Sequence, residues 1–203
     1  MTNIDAVISR LSSSSGHALT DYIENTMQFL ASSCRTVMLI GTDYVCKIPT
    51  EPFDQPRCDC FDNICVCDMP EECDQPHEEW EVDCECNSDE DDAYQTGQNR
   101  AEAAFWNLHK DDAQVAKHLV PVIASDPDGR WLIAKKVIPW RQAQRIVKVT
   151  DETLYAFYVT MQEIGIYDMH ERNMGYDPDT QCIVALDYGI SSEWEDITGL
   201  EFD

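Results

Sequence analysis

Asp168-Met169-His170-Glu171-Arg172-Asn173-Met174-Gly175-Tyr176-Asp177 leads through Pro178-Asp179-Thr180-Gln181 into Cys182-Ile183-Val184-Ala185-Leu186-Asp187-Tyr188-Gly189. Two apolar runs, Met174 to Tyr176 and Cys182 to Leu186, flank a turn at Asp177 to Thr180 made of residues that bend a chain. The stretch therefore reads as a hairpin that ends at Asp187. Polar groups stand at both of its ends. Asp168 and Asn173 lie five positions apart at the entry, and Asp187 follows Asn173 by 14 positions at the exit.

Upstream, Asp151 to Ile164 has helical spacing, with Thr150 placed as an N-cap and Gly165 as a stop. A second hairpin, Val120 to Ala124 with Trp131 to Val137, spans the turn Asp126-Pro127-Asp128-Gly129. Gln98 to Lys110 is a helix on the spacing of Ala101, Ala104, Phe105 and Leu108. Thr36 to Ile40 and Tyr44 to Ile48 form another hairpin across Gly41-Thr42-Asp43, with Lys47 near its end. Two helices, Asn3 to Leu11 and Ala18 to Leu30, precede it and are separated by Ser13 to Ser15 and Gly16. No internal repeat is present.

The 203 residues are 43% hydrophobic and 26% charged, the composition of a folded chain. The net charge of −25 departs from the norm. It excludes sequence-independent binding to nucleic acid or to an anionic membrane, either of which needs a basic face. No apolar run is long enough to cross a bilayer and no secretory leader is visible, which places the protein in the cytoplasm. Between 51 and 92 the chain carries 17 acidic residues and one base, Arg57, together with seven of its 10 cysteines. This insert shows neither helical nor strand periodicity and cannot build its own apolar core. Cys58, Cys60, Cys65, Cys67, Cys73, His77, Cys84 and Cys86 supply enough soft ligands for one or two tetrahedral Zn²⁺ sites. Their Cys-x-Cys spacing is tighter than the usual knuckle, and an unstructured acidic loop or disulfides are the alternatives. The remaining cysteines, Cys34, Cys46 and Cys182, read as inert buried thiols.

A hairpin carrying Tyr44-Val45-Cys46-Lys47, a helix carrying Glu102, a hairpin, a helix, then Asp168 with Asn173 and Asp187-Tyr188-Gly189 together resemble the protein-kinase-like superfamily. Singly, each residue has a plainer reading: Lys47 as a strand lysine, Glu102 as an exposed helical glutamate, Asp168 and Asn173 as loop closers. For Asp168, Asn173 and Asp187, one metal site is more economical than three separate turn roles. The resemblance implies an α+β, protein-kinase-like fold. Its N-lobe is an antiparallel five-stranded sheet plus one helix, joined through Ala134 to Val137 to a truncated helical C-lobe, with the Cys-rich acidic insert at 51–92. Residues 1–30 would be an N-terminal helical segment, and 31–203 a minimal kinase-like domain. In roles, Lys47 would bind the α and β phosphates of ATP and be braced by Glu102. Ala134, Lys135 and Val137 would line the nucleotide site, Asn173 and Asp187 would hold Mg²⁺ or Mn²⁺, and Asp168 would be the base.

Departures from the family pattern bear on activity. At the place of the glycine-rich loop stands Ala31-Ser32-Ser33-Cys34-Arg35-Thr36-Val37, with serines where glycines would let the backbone approach phosphate. Ile166-Tyr167 replaces the usual His-Arg, and 14 residues follow Gly189 with no Ala-Pro-Glu. His170 is similar to the pattern of aminoglycoside and choline phosphotransferases, and the short form resembles kinases encoded by bacteriophages, which would act in host cytoplasm. The function implied is ATP- and Mg-dependent phosphoryl transfer to serine or threonine of a protein. The alternatives are a pseudokinase-like module that sequesters a basic host protein through the insert, and a small-molecule kinase.

Overall fold

Alternation along two central strands determines how the molecule is layered. The computed structural model describes residues 3–14, 17–32, 35–49 and 89–188. Strands β1 (Gln28–Ser32), β2 (Arg35–Ile40), β3 (Tyr44–Pro49), β4 (Val122–Ser125) and β5 (Leu132–Lys135) form one antiparallel sheet in the order β1-β2-β3-β5-β4. Successive side chains of a strand point to opposite faces. Cys46 of β3 and Ile133 of β5 are register partners, and both face one layer with Trp131, Met38 and Ile40. Val45, Leu132 and Ala134 face the opposite layer. Because Lys47 pairs with Leu132 in that register, it shares the second face.

Helices α1 (Ile4–Ser13) and α2 (His17–Thr26) cover the first face. Asn3 caps α1 by accepting from the Ala6 amide, and Leu11, Leu19 and Ile23 enter the cluster with Met38, Cys46 and Trp131. The N-terminal helices are thus packed on the sheet. The second face receives α3 (Asp89–His109), whose buried Glu102 and Phe105 lie three positions apart on one helical stripe.

Beyond β5, a short strand β6 (Ile138–Pro139) opens a second sheet with β7 (Met174–Asp177) and β8 (Cys182–Ala185), ordered β6-β7-β8. Helices α4 (Ala113–Ala116), α5 (Trp140–Ala143) and α6 (Asp151–Glu163) complete the described chain. Thr150 caps α6 through the Thr153 amide, and Gly165 ends that turn of chain at φ 83°. One apolar cluster joins both sheets: Phe105 from α3, Leu132 and Ala134 from β5, Phe157 and Met161 from α6, and Met174, Ile183 and Val184 from β7 and β8. This is a mixed α/β arrangement of antiparallel sheet and helices, compatible with the protein-kinase-like fold.

The structure corrects three expectations. Ala18 to Leu30 is not one helix: α2 stops at Thr26, and Gln28 onward is β1, whose pairing with β2 outweighs the helical spacing. The helix expected from Gln98 begins at Asp89, so the last residues assigned to the insert, 89–92, belong to α3. Strand β6 and helices α4 and α5 were not anticipated, each being too short for periodicity to mark. The Zn²⁺ set Cys58, Cys60, Cys65, Cys67, Cys73, His77, Cys84 and Cys86 lies outside the described residues, as does Cys34.

Two outcomes follow for stability. Leu11→Ala should destabilise the protein by about 2–5 kcal/mol, because Leu11 is fully enclosed between α1 and the sheet. Urea melts with an unchanged slope and a lower midpoint would show it, whereas a wild-type midpoint would mean the N-terminal helices are not part of the core. Burial pushes the Cys46 thiol up to about 12. The folded chain then keeps a proton that the unfolded chain releases, so this contribution is complete below the ordinary thiol range and lost as pH rises toward 12. Melts from pH 8 upward should decline less steeply in Cys46→Val than in wild type.

Candidate active site

Four charged side chains from four parts of the chain meet on the face of the sheet that carries Lys47. The Lys47 ammonium donates to Glu102 Oε1 at 2.5 Å and to the Leu186 carbonyl at 2.6 Å. Leu186 follows β8, and its amide donates to the Asn173 carbonyl at 2.8 Å, continuing the β7–β8 register by one pair. Asn173 and Asp187 are thereby held at the same end of the hairpin, next to the carbonyl that receives Lys47. Tyr188, fully buried, donates to the Val120 carbonyl at 2.7 Å and fixes the chain just past Asp187.

Glu102 does not brace Lys47 alone. Arg35, the first residue of β2, donates from Nη1 to Glu102 Oε2 at 2.9 Å and to Asn99 Oδ1 at 2.8 Å, and from Nη2 reaches Asp187 Oδ1 at 2.6 Å. Asn99, one turn before Glu102 on α3, donates to the carbonyls of Lys47 and of Gly129 at 3.3 and 2.8 Å. Gly129, at φ 80°, sits in the β4–β5 turn closed by the Asp126 carboxylate. One helical stripe thus ties α3 to β2, β3 and the turn.

Arg35, Lys47 and Glu102 are all buried, and a buried charge persists only when it is paired. Burial lowers the Lys47 pKa and Arg35 adds to that, while Glu102 and Asp187 oppose it. For Arg35, burial works against the charge, but the carboxylates of Asp187 and Glu102 outweigh it and hold the guanidinium protonated. Tyr188 is kept neutral by burial and by the nearby Glu102.

On the loop before β7, the Asn173 amide donates to the Asp168 carbonyl and to Asp168 Oδ2 at 3.0 and 3.1 Å. That bond turns the nitrogen toward Asp168 and leaves Oδ1 of Asn173 as an acceptor for something else. His170 takes the Arg172 amide on Nδ1, and its Nε2 lies 3.7 Å from Asp168 Oδ1, outside hydrogen-bond reach. Arg141, His170, Glu171 and Arg172 border a concavity of about 370 Å³.

Lys47, Glu102 and Asp187 are therefore assembled, with Asp168 and Asn173 at the mouth of the same hairpin. The three residues assigned to the nucleotide site fare differently. Ala134 and Val137 pack in or against the core, and the Lys135 side chain is drawn to Asp177 and Asp179 at 2.8 and 2.7 Å, where it struts the two sheets together. Arg35 and Asn99 were missed by the sequence reading. Neither carries a local signature: Arg35 opens β2 beside polar Thr36, and its partners on α3 lie 64 and 67 residues away.

No protein-family model and no curated protein matches the sequence. Among solved structures, the chain is similar to that of the Rio2 kinase ADP/Mg²⁺–phosphoaspartate complex from Chaetomium thermophilum, at 13% identity and a TM-score of 0.49 over 90% of this chain and 56% of that one. The chain spans little more than half the length of that protein. Among the described residues, no helix is long and apolar enough to cross a membrane.

The quartet predicts how its central carboxylate behaves on removal. Glu102→Ala strands two buried cations and should cost about 3–5 kcal/mol. Without Glu102, the Lys47 pKa drops further below its unfolded value, so the unfolded chain binds the extra proton and stability rises with pH. The gap between Glu102→Ala and wild type should accordingly narrow from pH 7 to 9.5 in parallel urea melts.

Proposed function

We propose that the chain is a phosphotransferase of the protein-kinase-like superfamily that moves the γ-phosphoryl group of ATP to a hydroxyl, with a protein serine or threonine as acceptor. One observation carries the reading above the others. The Lys47 ammonium, braced by Glu102, is bonded to the carbonyl immediately before Asp187, so a phosphate-binding cation and an anionic oxygen ligand are built into one unit. Phosphoryl transfer asks a protein mainly for such positioning and for neutralisation of charge.

The donor chemistry fits a hard divalent cation. Asp187 offers carboxylate oxygen and Asn173 its amide oxygen, since the amide nitrogen is committed to Asp168. Asp187 and Asn173 supply two such oxygens, and Mg²⁺ or Mn²⁺ keeps waters and phosphate oxygens in the rest of its shell. When bound, that ion neutralises charge on the phosphates.

The chain's own groups would do the rest. Lys47 holds the α and β phosphates, and Glu102 keeps its ammonium from turning away. Asp168, half exposed on the loop before β7, accepts the proton of the acceptor hydroxyl. The acceptor oxygen then bonds to the γ phosphorus as the β–γ bridging P–O bond breaks, ADP leaving with the bridging oxygen. A catalytically weak binding module, which would sequester a basic host protein through the acidic insert, is favoured by one feature. Arg35, rather than glycine, stands in the stretch where the phosphate loop belongs.

Reduced protein incubated with γ-labelled ATP, Mg²⁺ or Mn²⁺ and a cell lysate should label a protein band. Asp168→Asn should slow the transfer by about 10²–10⁴-fold with little change in nucleotide affinity, and Asp187→Ala should abolish it. Nucleotide binding without label in any condition would favour the binding module. Absence of both would end the phosphotransferase reading.

A further inference from the structure

Asp187 and Arg35 are unequal partners. Arg35 is almost wholly buried and is anchored from Nη1 by Glu102 and Asn99, whereas the Asp187 side chain is 31% exposed. The cation is fixed in the fold and the carboxylate is partly open to solvent. At 2.6 Å, the Arg35 Nη2–Asp187 Oδ1 pair is a charge-assisted bond, the strong class of hydrogen bond. The guanidinium lies against an oxygen that a metal ion would otherwise take.

We propose that Arg35 is a tethered competitor for the divalent cation at Asp187, so that metal binds there only by displacing the guanidinium from the carboxylate. The inference rests on the reading of Asp187 as a metal ligand. With Arg35 and Lys47 set against Glu102 and Asp187, the four charges cancel among themselves. A lone divalent ion that takes Oδ1 leaves the guanidinium without its Asp187 partner. An ion that arrives with a polyphosphate brings the anion that can compensate it, so the device couples metal binding to nucleotide binding.

Mn²⁺ alone supplies the test, titrated by electron paramagnetic resonance or calorimetry into wild type, Arg35→Gln, Arg35→Lys and Asp187→Asn, with thermal melts to establish that each is folded. Arg35→Gln should bind Mn²⁺ about tenfold tighter than wild type, the equivalent of about 1.4 kcal/mol. Arg35→Lys, which cannot span Glu102 and Asp187 with one forked group, should fall between them and stands in if the glutamine variant does not fold. Asp187→Asn should lose the site. Equal or weaker binding in the folded Arg35 variants would overturn the competition, as would Mn²⁺ binding unaffected by Asp187→Asn. Nucleotide affinity, measured on wild type in the same buffer, separates the two failures: retained nucleotide binding with no Arg35 effect removes only the competitor, and no nucleotide binding removes the reading beneath it.

Discussion

Two cations and a carboxylate sealed from water at the junction of β2, β3 and α3 are the costliest feature of this molecule, and much of the fold is arranged to satisfy them. Taking a carboxylate or an ammonium out of water costs several kcal/mol per ion even after relaxation, and the attraction between them offsets this only in good geometry. Glu102 meets the requirement by spending one oxygen on Lys47 and the other on Arg35. Asn99 fills the remaining hydrogen-bond demand, and its own amide reaches two backbone carbonyls. The consequence is a fixed relation among helix and strands that apolar contacts, being non-directional, would leave adjustable.

The same charges couple the two sheets. Lys47 reaches the carbonyl that ends the β7–β8 hairpin, Arg35 reaches Asp187 one residue later, and Lys135 bonds to Asp177 at the hairpin's turn. Beneath these polar ties the shared apolar cluster runs from β5 and α3 to β8 and α6. Strand parity makes this possible: Lys47 and Val45 lie on the face toward the second sheet, and Cys46 between them points to α1 and α2. A shift of β3 by one residue would exchange the buried thiol for the ammonium and leave both faces unsatisfied.

The hairpins were legible in the sequence because alternation and turn chemistry are local. Asp126-Pro127-Asp128-Gly129 and Asp177-Pro178-Asp179-Thr180 announce themselves within four residues, and Thr150 and Gly165 mark the ends of α6. Lys47, Glu102, Asp168, Asn173 and Asp187 were legible as a set because their order and spacing resemble a known pattern. What escaped depends on long-range partners. Gln28 to Ser32 has enough apolar spacing to extend a helix, and only the edge of β2 makes it a strand. Arg35 and Asn99 have no local signature, since their roles come from groups 64 residues apart in sequence meeting in space.

The charge of the whole chain bears on what the proposed site would admit. At −25 the protein repels a free polyphosphate at long range, within the reach set by salt. In a typical phosphate site a glycine loop offsets this with a row of backbone amides. Here Arg35 stands in that stretch with its guanidinium turned inward to Glu102 and Asp187, so the quartet presents no surplus positive charge to an incoming anion. Under the proposed function, a nucleotide whose phosphates are already partly neutralised by a divalent ion would meet less repulsion and bring the cation assigned to Asp187. The two features would then act on different components: the acidity of the chain disfavours a free polyphosphate, and the inward-facing arginine disfavours a lone cation at Asp187.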